Sequence, residues 1–403
     1  MWLGSAWCEQ SYRRGALPVT TKATLAERDL RYQRLYEAMQ SAGLDAMLVA
    51  GKGHWWTGRG YIRYLTDFHL WGHDGILLIP VHGEPALTLS SHAVAQLIAR
   101  RGWISDAFGD IALVPRAVTF VKSRKLTSAR IGVAGMRSII GAGVLADLRT
   151  ALPQVNFVDA DQLIDQVRMI RSELEIKQIT ELWDLSKACM ERFVEVITPG
   201  KSGLGLAAEC SRVALEGGAR DILAFISEQP GRVEVPDDTL LRCDDITRYH
   251  MELCGPSGHW SEITVSCAYR APTELEDRLM ESELRAYAAI RAAARPGATL
   301  SQLAALFEQT LLADGWQLGP APRHFDFHGQ GMDAIEAPWF APEPEWGASQ
   351  SWPLEAGMTF SYHPNRDVRP LVPWGTGINE DILITPDGAK RFSGEWDLRW
   401  RRM

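Results

Sequence analysis

From Thr24 onward the apolar positions alternate between two periods. "TLAERDLRYQRLYEAMQSAGLDAMLVAG" carries hydrophobic residues at helical spacing, with Thr24 as a cap, a glycine stop and then an apolar run. It predicts a capped amphipathic helix followed by a buried strand. "DGILLIP", "EPALTLS" and "IGVAG" read as further short strands, and "SSHAVAQLIARRGW" and "GAGVLADLRTAL" as the helices between them. Residues 24–160 thus alternate strand and helix, the pattern of an α/β domain. A long helical run begins in "DADQLIDQVRMIRSELEIKQI" and extends to about residue 197. The expected layout is an N-terminal arm over 1–23, a first domain over 24–165 and a second over 166–403.

The second part repeats a pattern. "ACMERFVEVITPGKSGLGLAAECSRVALEGGARD" and "RAYAAIRAAARPGATLSQLAALFEQTLLADGWQ" each read as helix, Pro-Gly break, helix and glycine stop. Strand-rich sequence follows each copy. A repeated unit of this kind predicts two similar halves, with a sheet between them that gathers side chains at the junction.

Polar residues interrupt that strand-rich sequence at four places. "HMELCGPSGHWSE" holds Glu252 and Glu262 on either side of a glycine-rich turn, with His250 two residues before Glu252. Residues two apart on a strand share a face, and the turn folds the second carboxylate back beside the first. Facing like charges destabilise a strand pair unless a metal ion, a shared proton or a cationic ligand lies between them. "HFDFHGQGMDAIEAP" places His328 beside glycines, "GMTFSYHPNRD" places His363 at the end of an apolar strand, and "GINEDILITPDG" places Glu380 at the start of another. Each alone is an ordinary strand-end polar residue. Together they predict one polar centre.

Composition narrows the partners. The chain has 403 residues and a net charge of -8 with no basic block, which argues against a nucleic-acid partner. No apolar run is long enough to span a membrane, and the first residues lack the apolar core of a signal peptide. The six scattered cysteines form no CxxC pair, as expected of free thiols in a cytoplasmic protein. Fifteen tryptophans, among them Trp55, Trp56, Trp71, Trp260, Trp339, Trp346, Trp352 and Trp374, suit either core packing or an aromatic-walled pocket for a flat or cationic small molecule.

Taken in order, "GYIRYLTDFHLWGHDGILLIP", "TPGKSG", "RPGATL", "HGQG", "LEAGMTFSYHP" and "NEDILITPDG" resemble the creatinase/prolidase/methionine-aminopeptidase family from about residue 24 onward. The resemblance implies an α/β N-terminal domain plus an α+β pita-bread C-terminal domain with pseudo-twofold symmetry. The family's peptidases hold two metal ions with two Asp, one His and two Glu. By position these fall on Glu252, Glu262, His328, His363 and Glu380, so that only His328 and Glu380 keep the residue type. A further peptidase histidine is Ile335 here. The spacing of "ELCGPSG", with His250 before it, is similar to dimethylsulfoniopropionate lyases. "HMEL" and "LWGHDGILL" are similar to ectoine hydrolase. Ectoine hydrolase and creatinase imply C–N hydrolysis without a catalytic metal, and a site completed by the partner subunit.

The expectation is therefore a hydrolase of a non-peptide C–N bond. The alternatives are a metal-dependent lyase, an Xaa-Pro dipeptidase-like enzyme and an inactive binding protein. Expected catalytic residues are Glu252, Glu262, His328, His363, Glu380 and, across a homodimer, His73. His250, Trp260, Asp333 and Trp71 are expected to touch a small-molecule substrate. The cofactor is either none or one divalent transition metal (iron, manganese or zinc) held by Glu252, Glu262, His328, His363 and Glu380.

Overall fold

The computed structural model describes residues 21–53, 58–232, 234–319, 327–339, 352–364 and 367–403. Most of the expected N-terminal arm, with Trp55, Trp56 and Trp346, lies outside the described residues.

Thr24 caps α1 (Leu25–Ser41) by accepting from the Glu27 amide, and Gly43 leaves the helix with φ +63°. Then follow β1 (Ala46–Lys52), α2 (Gly60–Thr66), β2 (Asp74–Pro80), β3 (Ala86–Leu89), α3 (His92–Arg100) and β4 (Asp106–Gly109). The first domain ends with α4 (Leu113–Ser123), β5 (Arg130–Ala134), α5 (Ala142–Ala151), β6 (Asn156–Asp159) and α6 (Asp161–Met169). The six strands make one mixed sheet in the order β4-β3-β2-β1-β5-β6. Leu48 and Val133 pack on one face, Met47 and Leu77 on the other. Burial on both faces explains why these strands read as continuous apolar runs.

The expected change of domain at residue 165 falls inside α6, after the sheet has ended at Asp159 and before the next helix begins at Glu173. The second part opens with α7 (Glu173–Val196), α8 (Gly203–Glu216), β7 (Asp221–Ser227), β8 (Ile246–Cys254) and β9 (Trp260–Ala268). Then come α9 (Glu274–Ala293), α10 (Leu300–Ala313), β10 (Gln317–Leu318), β11 (Phe327–Gly329), β12 (Glu336–Trp339) and β13 (Thr359–Tyr362). The chain closes with β14 (Val368–Arg369), β15 (Glu380–Thr385), β16 (Gly388–Arg391) and β17 (Arg401–Arg402).

The repeat is real at the level of caps. Ser172 with Glu175 and Thr273 with Glu276 form capping boxes that start the first helix of each half. Ser202 and Thr299 cap the second helices, and each also makes an isolated antiparallel bridge, to Leu240 and Pro353. One half carries the sheet β17-β9-β8-β7, the other β12-β11-β13-β15-β16. The halves meet where β9 approaches β15, and there the Glu262 amide donates to Asp381 Oδ2 at 3.3 Å. This is the pseudo-twofold, pita-bread arrangement.

The two domains join through buried charge. Arg31 pairs with Glu27 at 2.8 Å and Glu175 at 3.6 Å, and Arg168 with Asp333 at 3.2 Å and Glu336 at 3.1 Å. Removing one partner of such a pair strands the other, at about 3–5 kcal/mol. The five described cysteines are buried and unbridged. Among the described residues no helix is long and apolar enough to cross a membrane.

Candidate active site

The site starts from a hairpin. Gly258, at φ +92°, and a Gly255 amide bonded to the His259 carbonyl at 2.8 Å close the turn between β8 and β9. That turn sets Cys254 opposite Trp260, and by the period of two it sets Glu252 opposite Glu262 and His250 opposite Thr264. His250 Nδ1 lies 2.9 Å from Thr264 Oγ1, its ring stacks on Phe225, and its Nε2 is 3.6 Å from Glu252 Oε1.

The other half brings donors to Glu262. β11 carries His328, and the residue after β13 is His363. Their Nε2 atoms lie 3.0 Å apart. Glu262 Oε1 has Gln330 Nε2 at 2.9 Å and His328 Nε2 at 3.4 Å. Glu262 Oε2 has Asn379 Nδ2 at 3.3 Å and His363 Nε2 at 3.5 Å. Each oxygen thus meets one amide and one imidazole. Burial alone would raise the Glu262 carboxyl. His328, followed by His363 and His250, outweighs it and holds the group below the ordinary carboxylate range. His328 Nδ1 sits 3.0 Å from the Gly329 carbonyl, which can only accept, so Nδ1 carries hydrogen and Nε2 faces the cluster. His363 keeps a third of its side chain exposed, whereas His328 and Glu262 are buried.

Glu252, Glu262, His328, His363 and His250 therefore lie about one centre, and Glu380 does not. Its Oε2 accepts from Arg391 Nε at 2.8 Å and Ser393 Oγ at 2.5 Å. The position assigned to Glu380 is filled by Asn379, one residue earlier, because alternate residues of an extended chain face opposite ways. Asn379 and Asp381 face Glu262; Glu380 faces β16. Burial, helped by the Glu262 and Glu380 carboxylates, pushes Asp381 well above the usual range and favours its protonated form.

Two expected substrate contacts are structural instead. Asp333 is buried at the domain junction, where it accepts from the amides of Gly58 at 3.1 Å and Gly60 at 3.0 Å and pairs with Arg168. Trp260 is 2% exposed and packs on Cys254 and Ala334, so its ring belongs to a small core. Trp71 is exposed on the first domain against Phe68, and His73 beside it has Nδ1 3.3 Å from Ser90 Oγ. Both lie outside the cluster of their own chain. Gln330, Asn379 and Asp381 were not anticipated. Gln330 falls two residues after His328 in "HGQG", so strand alternation pointed to it. Nothing in the local pattern chose Asn379 over Glu380.

The donor set decides which metal arrangement fits. Two ions need several carboxylates about them, but His363 offers one lone pair per ring nitrogen and Asn379 turns its NH2 toward Glu262, which leaves Glu262 the one carboxylate of its group with His328 and His363. A two-ion cluster does not fit these residues. Glu262, His328 and His363 have ligand atoms within 4.8 Å of one another. One ion could use that two-histidine, one-carboxylate set once the Gln330 and Asn379 amides rotate away. His69, Asp221 and Cys254 form a second such group at the domain junction. There Arg59 already supplies the cation, at 2.8 Å from Asp221 Oδ2 and 2.7 Å from His69 Nε2.

A sheeted α/β domain ahead of a two-halved domain, with carboxylates and imidazoles where the halves meet, is the architecture of the creatinase/prolidase hydrolases. Residues 177–386 match metallopeptidase family M24 and residues 31–170 the creatinase/prolidase N-terminal domain. The chain belongs to metallopeptidase family M24. It is similar to an Xaa-Pro dipeptidase of Pyrococcus horikoshii, 25% identical over 266 residues that cover 64% of this chain and 72% of the relative. It is similar also to ectoine hydrolase of Halomonas elongata, 27% identical over 278 residues, 65% of this chain and 68% of the relative. The solved prolidase from Pyrococcus horikoshii superposes with a TM-score of 0.71 at 21% identity, covering 91% of this chain and 99% of that one. X-Pro aminopeptidase from Thermotoga maritima gives 0.76 at 16% identity, covering 92% and 99%. These structures share the fold.

Proposed function

We propose that this protein hydrolyses a C–N bond of a small, non-peptide substrate, using Glu252 and the Glu262–His328–His363 cluster for proton transfer. The observation that carries the reading is the pairing of each Glu262 oxygen with one amide and one imidazole. A carboxylate held so is suited to stabilising imidazolium.

Glu252, with 12% of its side chain exposed, faces Glu262 and accepts a proton from the attacking water. The water oxygen bonds to the substrate carbon as the C–N bond breaks. The leaving nitrogen keeps the bonding pair and takes a proton from His363, the exposed member. With one added proton held on the Nε2 pair, His328 Nε2, 3.0 Å away, resupplies what His363 gives up, and Glu262 offsets the imidazolium charge. Ectoine hydrolase among the relatives fits this chemistry. The Xaa-Pro dipeptidases keep a peptide bond as the second candidate. A homodimer with His73 reaching the partner's cleft completes the proposal.

The test is turnover of a panel of small amides, amidines and ureas, ectoine included, beside Xaa-Pro dipeptides. Each runs after dialysis against a chelator and again with added manganese. Chelator-resistant turnover in the non-peptide panel is expected. Manganese-dependent dipeptide cleavage as the main activity would overturn the proposal.

A further inference from the structure

Gln330 is tied to the domain junction by a chain of buried contacts that ends at Arg171. Arg171 lies in the three-residue connection between α6 and α7, far from β9 in sequence, and its side chain is 2% exposed. Its guanidinium makes four directed bonds. Nη2 donates to the Gln330 carbonyl at 2.9 Å and to Glu336 Oε2 at 2.6 Å. Nε donates to Thr359 Oγ1 at 3.0 Å and Nη1 to the Arg168 carbonyl at 2.6 Å. Thr359 Oγ1 donates in turn to the same Gln330 carbonyl at 2.6 Å. Glu336 Oε1 accepts from the amides of Met332 at 2.8 Å and Asp333 at 3.0 Å, so one carboxylate folds the turn after Gln330 around itself.

The consequence is geometric. With its carbonyl pinned by two donors and the following turn wrapped on Glu336, Gln330 has its Cα fixed. Its side chain then reaches Glu262 Oε1 from one direction, at 2.9 Å. His328 belongs to the same strand and shares that oxygen at 3.4 Å. A planar fork holds several acceptors in fixed relative positions, as a lysine ammonium does not. The Arg171–Glu336 pair is fully desolvated, a costly arrangement for stability alone.

We infer that Arg171 is a positioning residue: by holding the Gln330 carbonyl, Thr359 and Glu336 together, it fixes the Gln330 amide on Glu262 and so sets the geometry of the Glu262–His328–His363 cluster. The arrangement serves whichever bond the site cleaves.

The experiment needs no substrate. Histidine labelled with 13C at Cε1 gives ten cross-peaks in this chain, assigned by single substitution. Arg171→Met should shift the His328 and His363 peaks, and Gln330→Ala should shift the same two. The double variant should add little to either. Arg171→Lys should move them less than Arg171→Met. Thr359→Val, which removes one arm and keeps the ion pair, should give a smaller shift of the same two peaks if Arg171→Met fails to fold. Arg31→Met is the control. It breaks another buried pair of the same junction, away from Gln330, and should lower Tm while leaving both peaks in place. Unmoved peaks in Arg171→Met, or in Thr359→Val where Arg171→Met does not fold, would overturn the inference. So would equal movement in Arg31→Met, since global loosening would then suffice.

Discussion

Glu262→Gln gives the most direct test of the cluster. The substitution keeps shape and removes charge. Two effects oppose each other. Relief of repulsion from Glu252, directly opposite on β8, favours the variant by up to about 1 kcal/mol. Against this, the new NH2 must face Gln330 Nε2 or Asn379 Nδ2, both donors, or force one of those amides to flip. A buried donor without an acceptor costs about 1–3 kcal/mol, and the charged contacts to the imidazoles are worth about 1.5–3 kcal/mol. The losses win, with a net destabilisation of about 3 kcal/mol and a Tm lower by about 6–12 °C for a domain of this size. Sign follows from the carboxyl: its folded pKa is depressed, so the stabilisation is full above the unfolded value of about 4.3 and is lost as pH falls from there through the lower folded value. Scanning calorimetry at pH 7 and below pH 4, with turnover measured alongside, should show the gap at neutral pH, its narrowing in acid and loss of activity. Glu252→Gln should stay within about 1 kcal/mol of the parent. A Glu262→Gln protein as stable as the parent or more so at pH 7 would refute the reasoning, because repulsion would then outweigh the donors.

Elemental analysis after manganese loading should find no more than one ion per chain, whereas the double variant His363→Glu/Asn379→Glu should approach two, since both positions then offer carboxylates. Burial pushes Asp165 up to about 7 against Arg168 and Tyr61, which favour its charged form. Because that folded value lies above the unfolded one, its contribution to stability is full below about pH 4 and is lost as pH rises to about 7, on the order of 4 kcal/mol. Asp165→Asn should therefore gain on the parent across that window in chemical denaturation, and a constant gap would count against it. Light scattering should give twice the 44.9 kDa chain mass. Mixing His73→Ala chains with Glu262→Gln chains should restore activity if the site is shared, and confirmed heterodimers without activity would contradict that.

Much of this arrangement was legible before any tertiary structure. Helices announce themselves through spacing and caps, as Thr24 does at the start of α1. The Pro-Gly breaks marked the repeat. A hairpin is local, so the glycine turn was enough to set Glu252 opposite Glu262. His328 and His363 were placed in the centre through family resemblance, since local pattern cannot state a contact thirty-five residues long.

What failed was the phase of alternation and the direction of burial. "INED" offers three polar side chains in succession, Asn379, Glu380 and Asp381, and local sequence favours neither face. Only the docking of β15 against β9 decides that Asn379 and Asp381 look at Glu262 while Glu380 turns to Arg391. Asp333 and Trp260 carry the residue types of ligand contacts, yet the first domain buries one and a small core the other. The sequence by itself determined the elements, their caps, the repeat and the opposed carboxylates, because those depend on torsional preference and near neighbours. The tertiary structure decided which polar groups share the centre, because that depends on which faces the two halves and the first domain press together.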